Sequence, residues 1–556
     1  MQNHYLANVR LLDANVARLF ELQRTEANSP CRGTFWDVAR GLDLAIGGVH
    51  MAKQLIEAYY APESKFSGDA RLLERARLAV EYSISHQYAD GSIDLPETNF
   101  HDSCESAFSV YDLGPAYKVL KTLSRHTPAE DALEAAVRRY LNGAADAMVN
   151  LGFHTPNHRW AISASLAYCW HLLNREDCRA HIDDFLREGI DCDENGEYTE
   201  RSAGNYNFVC NRSLLVMACE LNMPELREHV KRNLRMILTY VEPDDTMSTI
   251  NSRRQDMGKA SDWCGYYSNF LEMAILTGDG EFAWVADRML AQMETREAKP
   301  TSRELTYFEQ FSEMLLNPAY RGGFDAIAPI APSFSYNRFY EASGVARFRE
   351  GDFALTIVKE RPVFIKFQYK NHAGYVRMAG SFFARGQFAA QSLTQTEDGY
   401  ELRFHDRWGY KRPLPEKPET SDWTKMDHSK RENVAMQDFD MTVRIHLHAD
   451  GMTLDVSGEG CENIPSKLEL LFEPNGHYLT ENVIARAHGG DYFFQKGDCE
   501  YIFDDHSGFA VQGGFRAHHA GEHLRGTLGA DDDHFFIAMT AFTPYHGHVS
   551  VKTMER

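Results

Sequence analysis

Three short segments of the chain combine residue types that could act on an acidic substrate. The first segment covers residues 155–160, where Asn157, His158 and Arg159 stand in a row just before an apolar helical stretch. Consecutive donors at a helix start favour an anion, because the backbone N–H groups there lack partners and the helix dipole is positive. The same residues could instead simply cap the helix.

The second segment covers residues 194–206 and ends in Tyr206. Its turn residues predict a helix that begins near Ser202, with Tyr206 one turn further along on the same face. Arg201 and Arg212 flank Tyr206, and nearby cations help a tyrosine hydroxyl to lose its proton. Tyr206 is therefore a candidate acid or base, and a buried aromatic with a hydrogen-bonded hydroxyl is the alternative.

The third segment, residues 369–372, places His372 between two apparent strands. Histidine changes charge near neutral pH, so His372 could be a second base or a structural residue. Further polar and aromatic side chains lie at predicted loops and helix starts and could bind substrate, although each could equally be ordinary packing or surface. These are Asn99, His101, Arg159, Trp160, Arg201, Arg253, Arg254, Trp263 and Tyr266.

The first half of the chain is predicted to be helical. Apolar residues recur at helical spacing in residues 133–149 and 226–241, and residues 161–173 are apolar nearly all round, as in a buried helix. Loop signals such as Asp90-Gly91 and Asn195-Gly196 recur about every 40–65 residues, which is enough for a pair of helices. Repeated helix pairs favour an (α/α) toroid or a solenoid, in which the loops of one rim meet in a cleft.

The second half is predicted to be β-structure. After a turn-rich stretch at residues 317–335, which we interpret as a linker, the apolar period becomes two. Met441, Val443, Ile445 and Leu447 alternate with polar residues, and Asp450-Gly451 then predicts a hairpin turn. We therefore expect a multidomain α + β chain, with a helical toroid over residues 1–320 and an antiparallel β-sandwich over residues 333–556.

Composition narrows the possible partners and the compartment. The 556 residues carry a net charge of −22, which argues against nucleic acid as a partner. No apolar run reaches the ~18 residues of a membrane span, and the ten cysteines form no CxxC pair. The polar first twenty residues do not look like a signal peptide. We expect a cytoplasmic protein if Met1 is the natural start, and a secreted or periplasmic one if a leader was removed.

Together, the three segments resemble the heparinase II/III-like polysaccharide lyases, a group that includes oligoalginate and heparinoid lyases. The resemblance implies a helical toroid followed by a β-sandwich, and β-elimination on a uronate-containing glycan. It implies that Asn157 and His158 bind the substrate carboxylate, that Tyr206 is the acid/base, and that His372 is a possible second base. No cofactor is implied for catalysis, and the expected partner is an acidic oligosaccharide.

Many relatives carry another His and an Asp after the sandwich histidine, and these help to bind a structural zinc ion. Here His372 is followed by Ala373, Gly374 and Tyr375, so we expect no tight zinc site. Four other histidines of the β half could still assemble a metal site in space, although their spacing is not diagnostic. They are His405, His446, His448 and His477.

Two other functions remain open from the sequence. One is a glycoside hydrolase with two carboxylates, drawn from Asp102, Glu105, Glu200 and Asp262. The other is a glycan-binding protein without catalytic activity. For the lyase, the expected compartment and the negative charge favour short oligosaccharides over polymers. The sequence does not indicate an oligomeric state.

Overall fold

A computed structural model describes residues 3–38, 41–44, 48–96, 98–297, 306–515, 517 and 521–556. The chain divides into two compact units, a helical unit of residues 1–240 and 252–332 and a β unit of residues 241–251 and 333–556. The predicted class, a helical domain followed by a β-sandwich, is confirmed. Of the described helices, none is both long and apolar enough to cross a bilayer.

The described part of the helical unit contains thirteen α-helices and two pairs of short strands. The helices are α1 (His4–Leu22), α2 (Gly48–Tyr60), α3 (Ala70–Ser85), α4 (Ser103–Leu123), α5 (Pro128–Asn150), α6 (Pro156–Leu173), α7 (Glu176–Arg187), α8 (Tyr206–Glu220), α9 (Leu226–Leu238), α10 (Tyr267–Thr277), α11 (Gly280–Glu297), α12 (Phe311–Leu316) and α13 (Pro318–Gly322). The strand pairs are β1 (Trp36–Asp37) with β2 (Leu42–Asp43), and β3 (Ile93–Leu95) with β4 (Asn99–Asp102).

The helices form consecutive pairs in which the even-numbered members are the more buried. Helices α2, α4, α6 and α8 contact one another in that order, and each also packs against the helix that follows it in the chain. Helix α6 buries residues on every side, as predicted for residues 161–173, whereas α7 buries only Cys178 and Ile182. Helix α1 contacts both α2 and α11. The repeated pairing is therefore observed, and closure into a toroid stays a prediction.

Two large sheets make up the β unit. The nine-stranded sheet contains, in spatial order, β10 (Ser392–Gln395), β11 (Gly399–Lys411), β12 (Asn433–His448), β13 (Gly451–Gly460), β21 (Tyr545–Glu555), β19 (Ser507–Gly514), β18 (Cys499–Ile502), β15 (His477–Leu479) and β16 (Ile484–Arg486). The eight-stranded sheet contains β17 (Tyr492–Phe494), β20 (Phe535–Phe542), β14 (Pro465–Phe472), β9 (His372–Gly380), β8 (Val363–Tyr369), β7 (Phe353–Val358), β6 (Val345–Glu350) and β5 (Ser335–Tyr340).

The core of the β unit consists of the inward-facing side chains of both sheets. Met441, Val443 and Ile445 of β12 are all buried, as their alternation predicts, and Leu447 at the strand end is half-buried. Strand β12 pairs with β13 in an antiparallel hairpin across the predicted turn before Gly451. All neighbouring strands in the two sheets are antiparallel except β17 and β20. The sandwich is therefore built on the period-two pattern that the sequence shows.

The stretch predicted to be a linker, residues 317–335, lies mostly in the helical unit, and the β unit resumes at residue 333, where the β domain was predicted to begin. That stretch forms α13 and a 3₁₀ turn at Gly323–Ala326, and Tyr320 and Phe324 are buried in the helical unit. Phe324 lies against His4 of α1, with ring centroids 4.0 Å apart. These apolar contacts place the stretch up to residue 332 in the helical unit rather than in a linker.

Residues 241–251 belong to the β unit, although they lie between helices in sequence. Glu242 is almost completely buried there and accepts hydrogen bonds from Arg347 and from Lys366 Nζ, each at 3.1 Å. Burial alone would raise the pKa of Glu242, but the two cations lower it to about 2. The carbonyl of Val241 accepts a further bond of 2.9 Å from Arg349.

We expect Glu242→Gln to destabilise the protein by about 3–5 kcal/mol at pH 7, because it leaves Arg347 and Lys366 without a buried countercharge. A depressed carboxyl pKa contributes stability above the unfolded pKa and loses it as the pH falls through the folded pKa. The difference from wild type should therefore shrink as the pH falls from about 5 toward 2. Urea unfolding at several pH values measures this difference in the free energy of unfolding. Glu341→Gln is the control, since Glu341 is exposed, and an equal loss in both variants would contradict the assignment.

Candidate active site

The start of α6 and the segment before α8 meet at a buried carboxylate. Asn157, in the first turn of α6, is completely buried. Its backbone N–H and its Nδ2 donate to Glu200 Oε2 at 3.1 and 2.8 Å. Nδ2 also donates to Thr155 Oγ1 at 3.2 Å, so both amide hydrogens have acceptors. Asn157 therefore holds Glu200 in place, and this contact was not predicted.

A second loop reaches Glu200 from the other side. The backbone N–H of Arg253 donates to the Glu200 carbonyl at 3.0 Å, and Arg254 Nε lies 3.2 Å from Glu200 Oε1. Burial raises the pKa of Glu200, while the hydrogen bond from Asn157 and the charge of Arg254 oppose that shift. Asp256 of the same loop accepts a 3.1 Å bond from the Gly204 N–H, which fastens the loop to the segment before α8.

Tyr206 is the first residue of α8 and is half-buried. The prediction that this helix begins near Ser202 is wrong, because Ser202 Oγ instead accepts the Tyr206 N–H at 3.1 Å and ends a tight turn there. The Tyr206 hydroxyl accepts a 2.9 Å bond from Gln255 Nε2, and the Arg254 guanidinium lies 5.1 Å from the ring centroid. The helix N-terminus and Arg254 both place positive potential beside this side chain.

His158 follows Asn157 on α6 and faces the same region. Its ring lies edge-on to Phe108 and to His154, with centroid distances of 5.8 and 4.8 Å. Burial, followed by the charges of His154 and Arg254, lowers the pKa of His158 to about 4, despite the opposing charge of Asp102. The ring is therefore neutral at pH 7 and can donate one hydrogen bond and accept another.

Asn99 connects to this group through the start of α4. Its Nδ2 donates to Asp102 Oδ2 at 2.9 Å, and that carboxylate lies 3.9 Å from His154 Nε2. His101 is exposed, has a φ of 50° and stacks on Tyr88 with centroids 3.7 Å apart. Asn99 therefore joins the group indirectly, while His101 lies against a neighbouring tyrosine.

Two neighbours of His158 are structural. Arg159 donates to the carbonyls of Phe185 and Gly189 at the end of α7, the second at 2.8 Å, and lies over the Trp160 ring. Trp160 is fully buried and donates from Nε1 to Asp191 at 2.5 Å. The prediction that they bind substrate is corrected, because the arginine is held by backbone carbonyls and the indole has no exposed face.

The prediction that Trp263 and Tyr266 bind substrate is also corrected. Both are buried, and each satisfies its polar atom inside the unit: Trp263 donates to Gln292 at 2.8 Å, and Tyr266 donates to the Ala203 carbonyl at 2.7 Å. Arg253 has an exposed side chain beside Arg254, and Arg201 is half-buried with a φ of 51°. Substrate binding by these two arginines stays a prediction.

His372 begins β9 of the β unit and is held by groups of that unit. Its ring stacks on Phe503 at 3.7 Å, Nε2 lies 3.1 Å from Asp505, and Nδ1 lies 3.6 Å from Glu473. Its role as a second base stays a prediction. The other four histidines have separate partners, so no described group of three suits a metal there. They pair as His405 with Asp440, His446 with Asp398 and Asp455, His448 with Thr453, and His477 with Asp504.

The sequence did not predict that three of these residues belong to the site. Glu200 appeared only among possible hydrolase acids, and neither Gln255 nor His154 was a candidate. Glu200 and Gln255 each stand next to a candidate arginine, and His154 lies four residues before His158. These positions beside candidate residues were the only signals in the sequence. The contacts that bring Glu200 to Asn157 and Gln255 to Tyr206 span 43 and 49 residues of the chain.

Comparison with protein-family models finds no match, and comparison with curated protein sequences finds none either. Solved structures do match. Heparinase III gives a TM-score of 0.55 at 9% identity, over 92% of this chain and 77% of that one. The heparan sulfate lyase HepC from Pedobacter heparinus gives 0.52 at 10% identity, over 92% and 76%. A Paenibacillus xanthan lyase gives 0.53 at 10% identity, over 99% and 57%.

These three structures share the order of a helical and a β part with this chain along nearly its whole length. The chain therefore has the fold of the heparinase II/III-like polysaccharide lyases, as the three sequence segments predicted. At 9–10% identity the likeness concerns the fold.

The contact between Asn157 and Glu200 predicts two different effects on stability. Asn157→Ala should cost about 1–3 kcal/mol, because Glu200 loses a donor while it stays buried. Asn157→Asp should cost more at pH 7, since it places two carboxylates side by side, and the loss should diminish as the pH falls and one of them binds a proton.

Thermal and urea unfolding over pH 4–8 measure both effects. Asn150→Asp is the control at the exposed end of α5. If Asn157→Asp is no less stable than Asn157→Ala at pH 7, the arrangement around Glu200 is wrong.

Proposed function

We propose that this protein is a lyase that cleaves a uronate-containing glycan by β-elimination and leaves a 4,5-unsaturated uronate end. The observation that carries the proposal is the position of Arg254, which lies 3.2 Å from Glu200 and 5.1 Å from the centre of the Tyr206 ring. The neutral His158 ring directly follows Asn157, which donates to the same carboxylate. The fold, shared with enzymes named as heparan sulfate and xanthan lyases, supports the same reaction class.

The chemistry requires acidification of a carbon-bound proton. The C5–H of a uronate becomes acidic only when negative charge on the adjacent carboxylate is stabilised as it develops. Arg254 and the N–H of His158 are the groups of the site that can bind this carboxylate. A base then removes the C5 proton, the C4–C5 double bond forms as the C4–O4 bond breaks, and an acid protonates the departing O4.

Tyr206 is positioned for the proton transfers. Gln255 donates to its oxygen, which leaves the hydroxyl hydrogen available for O4, and the positive potential from Arg254 and the start of α8 stabilises charge on the oxygen in between. In a syn elimination Tyr206 would react as the phenolate, whose oxygen takes the C5 proton and then returns that proton to the departing O4. In an anti elimination Tyr206 would be only the acid and a second group would be the base, which is the role that the family resemblance implies for His372.

Asn157 has a different role from the one the family resemblance implies. It is buried and both of its amide hydrogens have acceptors in the protein, so we assign it to positioning Glu200, which in turn lies beside Arg254. The carboxylate-binding pair is then His158 and Arg254 rather than Asn157 and His158.

The hydrolase alternative has weaker support. A hydrolase needs two carboxylates facing one bond, but the four candidate acids are bound to four different partners. Asp102 accepts from the Cys104 N–H, Glu105 lies 3.6 Å from His50, Glu200 accepts from Asn157, and Asp262 pairs with Arg296.

Removal of the Tyr206 hydroxyl group tests the mechanism. Tyr206→Phe keeps the ring and removes the hydroxyl, so it should abolish formation of the unsaturated product while leaving the fold and substrate binding largely unchanged. Wild type and variant are compared on a panel of uronate oligosaccharides by the ultraviolet absorbance of the conjugated product. Tyr59→Phe is the control, because Tyr59 is also half-buried and lies on α2.

A folded Tyr206→Phe protein with normal product formation would rule out this mechanism. His372→Ala then separates the two routes: near-total loss of activity indicates anti elimination, and partial loss indicates syn elimination. If no uronate substrate gives an absorbing product with the wild type, the lyase proposal itself fails.

The carboxylate-binding pair predicts a change in turnover rather than in affinity. His158→Ala and Arg254→Ala should each lower kcat by about 10²–10³, with a smaller effect on KM, because their bonds strengthen as charge moves onto the carboxylate. Arg187→Ala, at the exposed end of α7, is the charge-matched control. Unchanged kcat in folded His158 and Arg254 variants would contradict the assignment.

A further inference from the structure

A cysteine thiol and two imidazole rings lie close together at the edge of the candidate active site, and one of the rings is that of His158. Ligand atoms of Cys104, His154 and His158 all lie within 4.8 Å of one another. Cys104 is 1% exposed, His158 is half-buried, and the His154 side chain is 51% exposed. The three side chains therefore form a group that is closed on the protein side and open to solvent at His154.

Two helix starts build this group. Cys104 lies in the first turn of α4, where its N–H donates to Asp102 Oδ1 at 2.8 Å. His158 lies in the first turn of α6 and His154 lies just before the helix, with the two ring centroids 4.8 Å apart. Ser103 Oγ donates to the Gly152 carbonyl at 2.6 Å and joins the two segments.

Two features of the histidines suit a metal ion. The Asp102 carboxylate lies 3.9 Å from His154 Nε2, too far for a hydrogen bond but near enough to attract a cation bound by this ring. His158 Nδ1 is buried and accepts or donates no hydrogen bond among the described residues. A buried nitrogen without a partner is costly unless a ligand satisfies it.

We propose that Cys104, His154 and His158 form a binding site for one divalent cation of the Zn²⁺ class. Thiolate and imidazole select Zn²⁺, Co²⁺ and similar ions over Mg²⁺ and Ca²⁺, which prefer oxygen. In a tetrahedral site with Zn–N of about 2.0–2.1 Å and Zn–S of about 2.3 Å, ligand atoms lie about 3.4–3.6 Å apart. The present separations, which are within 4.8 Å, would have to shorten on binding, and the His154 side chain, 51% exposed, has room to move.

This site differs in place and in ligands from a zinc site in the β-sandwich. Three protein ligands leave one tetrahedral position for water or for a carboxylate from solution. A second group of possible ligands, His126, Asp131 and Glu134, is largely exposed and contains no thiol, so it offers a useful contrast within the same protein.

Cobalt binding to the full-length protein tests the proposal. Co²⁺ bound to a thiolate gives an intense near-ultraviolet charge-transfer band, whereas Co²⁺ on the His126 group cannot give one. We expect the wild type to show this band at one equivalent of Co²⁺ and Zn²⁺ to displace the cobalt. Cys104→Ala should abolish the band, and His154→Ala should weaken cobalt affinity by at least about tenfold.

Cys219→Ala is the matched control, since Cys219 is an exposed thiol, and it should keep the band. Circular dichroism checks that each variant is folded. Because His154 is exposed and Cys104 is buried, the His154 variant is less prone to unfold than the Cys104 variant. A band that survives in Cys104→Ala, or no band in the wild type, would overturn the proposal. Because the readout is spectroscopic, either result leaves the lyase proposal to be judged by its own assay.

Discussion

The buried carboxylate of Glu200 is the contact on which the candidate site depends. A carboxylate removed from water needs donors and a nearby cation, and Glu200 obtains them from Asn157 and from Arg254. Each of these residues stands next to, or close to, a group proposed for the chemistry: His158 follows Asn157, and Tyr206 lies six residues after Glu200. This one carboxylate therefore links three segments that are separate in sequence.

The positive ends of neighbouring helices provide the second constraint. Helices α4, α6 and α8 contact one another in order, and the segments at their starts meet through the Asp102–His154 and Asn157–Glu200 contacts. Their N-termini therefore lie at the same end of the helical unit, and each contributes a positive dipole end. Arg254 adds charge to this region, which explains how a protein of net charge −22 can offer a local site for an acidic sugar.

The sequence predicted the parts of the structure that depend on periodicity. The alternation at Met441, Val443 and Ile445 correctly indicates a strand buried on one face, and the apolar residues after Trp160 indicate a helix buried on all sides. Residue type did not reveal exposure, so Trp160 and Trp263 were predicted to bind substrate although both are packed inside. The role of Asn157 also depends on a contact 43 residues away, which no local pattern encodes.

The path of residues 241–251 has a consequence for how this protein can be divided. Because this segment leaves the helical unit, joins the β unit and returns, the backbone passes between the units three times. Neither unit is one continuous stretch of sequence, so a cut after residue 332 leaves residues 241–251 of the β unit on the helical fragment. A fragment beginning at residue 333 would contain Arg347, buried in the intact protein, without the acidic partner that residue 242 supplies. A recombination event that exchanged only residues 333–556 would therefore also have to supply a compatible segment at residues 241–251.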